Sequence, residues 1–227
     1  MKRSEINKIL KNAVDFINEK NFILPPFAFW NRNDWKNKNE EYDEIRDNML
    51  GWDITDFGSG EFYKIGLLMF TLRNGNFNNK KYTKPYAEKL LIAENNQITP
   101  FHFHYSKMED IINRGGGSLV IQMYNSDENG GFSATDVNVS RDGKNYRVKA
   151  GTLVTLSPGE SITLSPKCYH QFWAEGGKVL IGEVSKVNDD RVDNRFYNKI
   201  GRFPNIEEDE EPLYLMSMDY PDFFKQP

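Results

Sequence analysis

The chain has 227 residues, 38% of them hydrophobic, which is sufficient for one well-buried domain with an extension. Its 29 basic and 33 acidic residues leave a net charge of -4, and this weak acidity argues against binding to nucleic acid or to an anionic membrane. The single cysteine excludes an intrachain disulfide, and no apolar stretch is long enough to span a bilayer, so we expect a small-molecule partner.

The N-terminal region is predicted to be helical. Ser4 is a candidate N-cap, and apolar residues recur after it at the spacing of one helix face: Ile6, Ile9, Leu10, Ala13, Val14 and Ile17. The segment MKRSEINKILKNAV lacks the apolar core of a secretory signal, so a cytoplasmic location is expected. Pro25 and Pro26 then break the helical pattern. We predict that residues 1–60 form a helical and aromatic extension that packs on the main body.

Short β-branched or aromatic segments, separated by Gly, Asn, Pro or Asp turns, dominate the chain after residue 60. They are YKIGLLMFTLR, YAEKLLIAE, SLVIQMYN, DVNVS, YRVKAGTLVTLS, SITLS, HQFWAE and KVLIGEVS. Such strands without long helices between them predict an antiparallel sandwich or barrel. The predicted fold class is therefore mostly β. Residues 61–227 would form a jelly-roll barrel with an irregular C-terminal segment, in one structural unit with the extension.

The three histidines of the chain lie at only two places, and they predict a metal site. His102 and His104 are two apart on a predicted strand, so their side chains point to the same face. Glu109 follows them closely, and His170 comes from a strand far along the sequence. Three imidazoles and one carboxylate suit a divalent first-row metal and leave coordination positions open for a substrate.

Glu109 has a competing interpretation. The segment from Ser106 to Glu109 matches a capping box, and a short helix from Lys107 could end at Gly115. Glu109 is also an odd number of positions from His104, so the two can face one ion only if a turn or bulge intervenes. The spacing favours ligation, and we interpret Gly115–Gly117 as a turn.

A β-barrel with a His-x-His pair, a glutamate and a later histidine after a proline resembles the cupin superfamily. The spacing of the first cupin motif is met by four residues: His102, His104, Glu109 and Gly116. Asn96 stands where the motif has its leading glycine, which is a mild departure because asparagine tolerates the left-handed turn conformation. The second motif is weaker, since Pro166–His170 is one residue short and lacks its glycine.

Two longer strings, TPFHFHYSKMEDIINRGGG and GEVSKVNDDRVDNRFYNKIGRFPNIEEDEEPLYL, resemble the D-lyxose isomerase family, and the similarity covers most of the chain. The resemblance implies a cupin-type enzyme that uses Mn²⁺, or a similar ion such as Co²⁺, Zn²⁺ or Fe²⁺. It implies interconversion of D-lyxose and D-xylulose, with D-mannose and D-fructose as a slower pair. It also implies a homodimer.

Isomerisation of an aldose through a cis-enediol requires a base and a group that stabilises negative charge on the sugar oxygens. Glu183 in VLIGEVS is the first candidate base, because a carboxylate within an apolar strand needs a partner or a role. Its alternative is an ordinary salt bridge. Lys107 is a candidate for balancing charge or passing a proton to the substrate, against the alternative of a solvated loop lysine. Asp193 is a candidate for binding sugar hydroxyls, although turn chemistry explains it equally well.

Two other classes of function compete with the isomerase. In a cupin oxygenase the same histidines would hold Fe²⁺, and activity would consume oxygen. A non-catalytic sugar-binding or metal-binding barrel would need neither Lys107 nor Glu183. Candidate aromatic platforms for a sugar are Trp30, Trp52, Tyr63, Phe172 and Trp173, of which one or two are expected to face a ligand.

Overall fold

The computed structural model of the chain describes residues 1–187, 189, 192–201 and 204–223. The helices in these residues are α1 Arg3–Glu19, α2 Arg32–Trp35, α3 Asp43–Asp47 and α4 Tyr220–Phe223, with 3₁₀ helices at Pro26–Phe29, Glu40–Tyr42 and Ser217–Asp219. The strands are β1 Gly51–Thr55, β2 Leu67–Arg73, β3 Tyr86–Ala93, β4 Thr99–His104, β5 Glu109–Asn125, β6 Val137–Arg141, β7 Lys144–Val148, β8 Leu153–Leu156, β9 Ser161–Leu164, β10 Cys168–Lys186 and β11 Asn194–Phe196. None of the helices in these ranges has the length and apolar character of a membrane span.

The strands pair antiparallel, in the order β1-β2-β3-β10-β5-β9-β6-β7. Three further strands join this path at its centre, where β8 pairs with β5, β4 pairs with β10, and β11 pairs with β4. The predicted mostly β class with an N-terminal helix is confirmed. β1 lies inside the range 1–60 that was predicted as an extension, and β11 lies in the segment predicted to be irregular.

The long strands β5 and β10 pair with each other along most of their length, with a register shift between Glu175 and Val179. Gly116 allows the close approach there: its φ is +107°, and a Cβ at this position would lie 2.0 Å from the Lys178 carbonyl oxygen. The glycine triplet therefore lies inside β5, and its prediction as a separate turn is wrong. The irregularity offsets side-chain alternation in β10, so that His170 and Glu183, an odd number of positions apart, both face one pocket.

Helix α1 covers the outer face of β1, β2, β3 and β10. Its buried side chains join one apolar cluster with side chains of these strands, including Trp52, Phe70 and Leu180. Ile6, Leu10 and Ile17 are fully buried, and each contributes about 2 kcal/mol through removal of apolar surface from water. A second cluster, centred on residues such as Ile121 and Leu156, fills the barrel interior.

The start of α1 is stabilised by the acidic C-terminal segment. The helix begins at Arg3 after Lys2, without a side-chain cap, so the prediction of Ser4 as N-cap is wrong. The Ser4 hydroxyl instead donates to Asp209 at 2.8 Å, and the Arg3 guanidinium contacts Glu208 at 2.6 Å. The acidic run therefore packs at the helix N-terminus, where negative charge is favourable.

Candidate active site

Three imidazoles meet inside the barrel. β4 presents His102 and His104 on one face, as predicted, and His170 of β10 is the register partner of His102. One ring nitrogen from each of the three lies within 4.8 Å of the others. His104 and His170 are 5% and 1% exposed, so the cluster is shielded from bulk water.

Backbone carbonyls orient two of these rings. Nδ1 of His102 lies 2.8 Å from the Pro100 carbonyl oxygen, and Nδ1 of His170 lies 3.0 Å from the Cys168 carbonyl oxygen. A carbonyl can only accept, so each Nδ1 carries the proton and each Nε2 keeps a lone pair. The buried Nε2 of His170 has no hydrogen-bond partner within the described ranges. Burial and then the neighbouring imidazoles lower the pKa of His102 well below its usual value, so this ring is neutral.

Glu109 joins the histidines because the strand is interrupted before it. Residues 105–108 form a bend between β4 and β5, and β5 begins at Glu109, so the alternative helix is not formed. Oε1 of Glu109 lies 3.2 Å from Nε2 of His104 and 3.3 Å from Nε2 of His170. Burial acts to raise the pKa of Glu109, but Lys107 and the imidazoles outweigh burial and hold this pKa well below its usual value. Imidazole nitrogens and an ionised carboxylate are ligands that fit a divalent ion.

Lys107 is buried, and the alternative of a solvated loop lysine is wrong. Its side chain is 2% exposed. Nζ lies 2.7 Å from Oε2 of Glu109 and 2.8 Å from Oε1 of Glu183. One ammonium therefore bridges the carboxylate of the histidine cluster and the carboxylate predicted as a base.

Glu183 is held on one of its two oxygens. Oε1 receives the Lys107 hydrogen bond, lies 3.3 Å from the Ser185 hydroxyl, and is 3.4 Å from Nζ of Lys89. Oε2 takes no hydrogen bond from any residue in the described part of the chain. Burial acts to raise the pKa of Glu183, but Lys107 and Lys89 together lower it, so the group is ionised at neutral pH. The salt bridge that was the alternative to a base role for Glu183 is therefore present. It occupies Oε1 and leaves Oε2 available to a substrate.

Asp193 stabilises the bend that carries Lys107. Its Oδ1 accepts hydrogen bonds from the backbone and the hydroxyl of Ser106, each at 2.8 Å, and Oδ2 accepts from the Lys107 backbone at 3.0 Å. The next residue, Asn194, lines the pocket, whereas Asp193 does not. The contacts of Asp193 are therefore those of a turn-forming residue, which was the alternative. Its position gives no support to the predicted contact with sugar hydroxyls.

The pocket extends from the histidine cluster across the barrel interior. Sequence reasoning did not single out ten of its lining residues: Thr55, Phe57, Leu67, Met69, Lys89, Leu91, Thr99, Ile111, Asn194 and Phe196. Of the aromatic platforms that were predicted, only Phe172 lines it. Lys89 had a weaker signal than Glu183, because it follows Glu88 and directly precedes the apolar run LLIA in YAEKLLIAE. Phe57 and Phe196 had none, since both come from short or irregular segments.

Comparison with known proteins identifies close relatives over the whole chain. The sequence model of a family described as D-lyxose isomerase matches residues 1–220. A D-lyxose/D-mannose isomerase of Serratia proteamaculans is 46% identical over 223 residues, covering 97% of this chain and 98% of that protein. A D-lyxose/D-mannose isomerase of Escherichia coli O157:H7 is 45% identical, covering 98% of this chain and 100% of that protein.

Solved structures share the fold at low sequence identity. The L-ribose isomerase of Cellulomonas parahominis superposes with a TM-score of 0.59 at 14% identity, covering 91% of this chain and 98% of that chain. The L-ribose isomerase of Geodermatophilus obscurus gives a TM-score of 0.60 at 13% identity with the same coverage. These similarities show the architecture alone.

Proposed function

The chain belongs to the D-lyxose isomerase family and is a sugar isomerase, and we propose that it interconverts D-lyxose and D-xylulose, and D-mannose and D-fructose more slowly. Family membership confirms the resemblance seen in the sequence. The oxygenase and the non-catalytic barrel are set aside, because the relatives that match the full chain are named as isomerases.

We propose that His102, His104, His170 and Glu109 hold a divalent metal ion, with Mn²⁺ as the first choice and Co²⁺, Zn²⁺ or Fe²⁺ as alternatives. The convergence of the three ring nitrogens supports this ligand set. A bound divalent ion would supply positive charge that stabilises the negative charge developing on the substrate oxygens. The carbonyls that accept from Nδ1 of His102 and His170 would keep both rings in the required orientation.

Glu183 is the proposed base. Conversion of an aldose to a ketose removes the proton on C2, passes through an enediol, and places a proton on C1. Oε2 of Glu183 is the atom assigned to both transfers, because Oε1 is occupied by Lys107, Lys89 and Ser185. An ionised carboxylate at neutral pH is ready to accept the first proton.

Lys107 is proposed to act on the substrate oxygens. The hydroxyl on C2 must lose a proton while the oxygen on C1 gains one, and Lys107 can balance both changes by giving a proton to the C1 oxygen and taking up the proton of the C2 hydroxyl. Nζ of Lys107 lies within hydrogen-bond distance of both Glu109 and Glu183, so it stands between the candidate metal ligands and the candidate base. This bridge is the observation that carries the proposal, because a site that only binds metal or sugar has no need of it.

Metal removal followed by reconstitution tests the proposal. Purified protein treated with a chelator should lose activity, and Mn²⁺ should restore conversion of D-lyxose to D-xylulose, followed by NMR of the sugars. Failure of every divalent ion to restore conversion would count against a metal-dependent isomerase. In D₂O, deuterium at C1 of the product supports proton transfer, whereas full retention of the substrate hydrogen indicates a hydride shift and removes the base role from Glu183.

We also propose that the enzyme is a homodimer in the cytoplasm, as the family resemblance implied. Light scattering after size exclusion tests the assembly, and a mass equal to one chain would contradict it. Fractionation of the source cells tests the location.

A further inference from the structure

Lys89 is a second buried lysine in the pocket, in addition to Lys107. It lies in the middle of β3, where Glu183 of β10 is its register partner on one side and Thr71 of β2 on the other. Its side chain is 5% exposed and lines the pocket. Burial of an ammonium is costly unless an opposite charge lies beside it.

Lys89 supplies a second positive charge beside Glu183. Lys107 contacts both Glu109 and Glu183, so one ammonium is shared between two carboxylates. Nζ of Lys89 lies 3.4 Å from Oε1 of Glu183 and supplies the fourth charge. Two ammonium groups thus approach the same oxygen of Glu183 from different elements, Lys107 from the bend before β5 and Lys89 from β3.

We propose, on the basis of the isomerase function proposed above, that Lys89 is a positioning residue that holds Oε1 of Glu183 and so keeps Oε2 available to the substrate. Lys107 cannot do this throughout the reaction, because it is assigned to the substrate oxygens. When Lys107 donates to the sugar, Lys89 is the remaining ammonium on the base. The carboxylate then keeps its orientation while it accepts the C2 proton and returns it to C1.

Burial acts to raise the pKa of Glu183, and the described groups that lie near it come from four parts of the chain. Lys89 faces it from β3, Lys107 from the bend, Glu109 from β5, and Ser185 from β10 itself. Removal of the Lys89 charge therefore leaves Lys107 opposed to two carboxylates. The base should then protonate at a higher pH than in the original protein.

The experiment compares Lys89→Met and Lys89→Arg in the metal-loaded enzyme. We expect Lys89→Met to lower kcat for D-lyxose about 10- to 100-fold through misplacement of the base, with KM and bound metal little changed. The acid limb of the kcat profile should move to higher pH. Lys89→Arg should keep the acid limb in place and recover part of kcat. Lys178→Met, which removes a 2.8 Å ion pair with Glu94, is the matched control. It should change neither kcat nor the position of the acid limb.

A double-mutant cycle with Glu183→Gln makes the test independent of folding losses. Removing both charges avoids an unpaired buried group, so Lys89→Met combined with Glu183→Gln is expected to fold. If Lys89 acts through Glu183, the double variant should be no slower than Glu183→Gln alone. A further loss of the same size as in the single variant, or an unchanged acid limb in Lys89→Met, would overturn the inference. A parent protein that isomerises no aldose with any divalent ion would instead overturn the proposed function.

Discussion

Nζ of Lys107 lies 2.8 Å from Oε1 of Glu183, although 76 positions separate the two residues in the chain. The contact requires both the bend after β4 and the long strand β10. The same Nζ is 2.7 Å from Glu109, so the ammonium links the candidate base to the candidate metal ligands. Because all three groups are buried, each interaction is stronger than it would be in water.

Substitution of Lys107 by methionine should therefore slow the proton-transfer step while the metal stays bound. We expect kcat for D-lyxose to fall by about 10²- to 10⁴-fold, the usual contribution of a group that transfers a proton. Steady-state kinetics and the metal content of the purified variant provide the measurement. Lys64→Met, at an exposed ion pair with Glu61, is the control. A rise in KM with an unchanged kcat would show that Lys107 only binds the sugar.

Glu109→Gln should weaken the metal site. The substitution keeps the shape of the side chain but replaces the anionic oxygen that lies 3.2 Å from His104 and 3.3 Å from His170. We expect the Kd for Mn²⁺ to rise by at least about tenfold, since even changes beyond the ligands themselves have effects of that size. Titration calorimetry on the chelator-treated protein measures it, with Glu94→Gln as a control. An unaltered Kd would mean that Glu109 serves only to hold Lys107.

The pattern of residues within single strands is sufficient to predict some of the site residues. The alternation of a strand places His102 and His104 on one face, and the cost of burying a charge singles out Glu183. The same reasoning gives a weaker signal for Lys89, because this lysine follows Glu88 and precedes the apolar run LLIA.

Other parts depend on register and long-range pairing that local pattern does not contain. The irregularity in β10 near Val179 brings His170 and Glu183 to one pocket, whereas simple alternation would separate them. The bend that turns Glu109 inward is stabilised by Asp193, far along the chain. A short β11 brings Phe196 to the pocket, and three residues give too little pattern to be predicted.

Asp193→Asn should affect turnover through the bend rather than through substrate affinity. The amide keeps one accepting oxygen, so either the Ser106 or the Lys107 backbone group loses its partner. We expect kcat to fall about 10- to 100-fold, because Lys107 is no longer held in place. KM should stay near the parent value, and amide hydrogen exchange at Ser106 and Lys107 should become faster. A raised KM with unchanged exchange would restore the original prediction that Asp193 binds sugar hydroxyls.

The ion pairs of Arg3 give the fold a dependence on acid pH. The Arg3 side chain is 2% exposed and lies 2.6 Å from Glu208 and 2.9 Å from Asp219. The hydrogen bond from Arg3 is the largest cause of the lowered pKa of Glu208, with burial opposing it. A carboxyl group with a lower pKa in the folded state stabilises the protein above its unfolded pKa and loses that contribution as pH falls. The free energy of unfolding should therefore decrease as pH drops from about 4.5 through the folded-state value.

Arg3→Met tests this relationship. At pH 7 the variant should lose roughly 2 kcal/mol of the free energy of unfolding, because charged hydrogen bonds at the start of α1 disappear and Asp219 loses its partner. Since Glu208 then loses the largest cause of its lowered pKa, the decline in stability below about pH 4.5 should become shallower. Urea unfolding at several pH values measures both effects. Arg32→Met, whose pair with Glu211 is 3.5 Å long and exposed, should change stability by less than about 1 kcal/mol. An Arg3 variant with the same acid dependence as the parent protein would assign that dependence to other carboxylates.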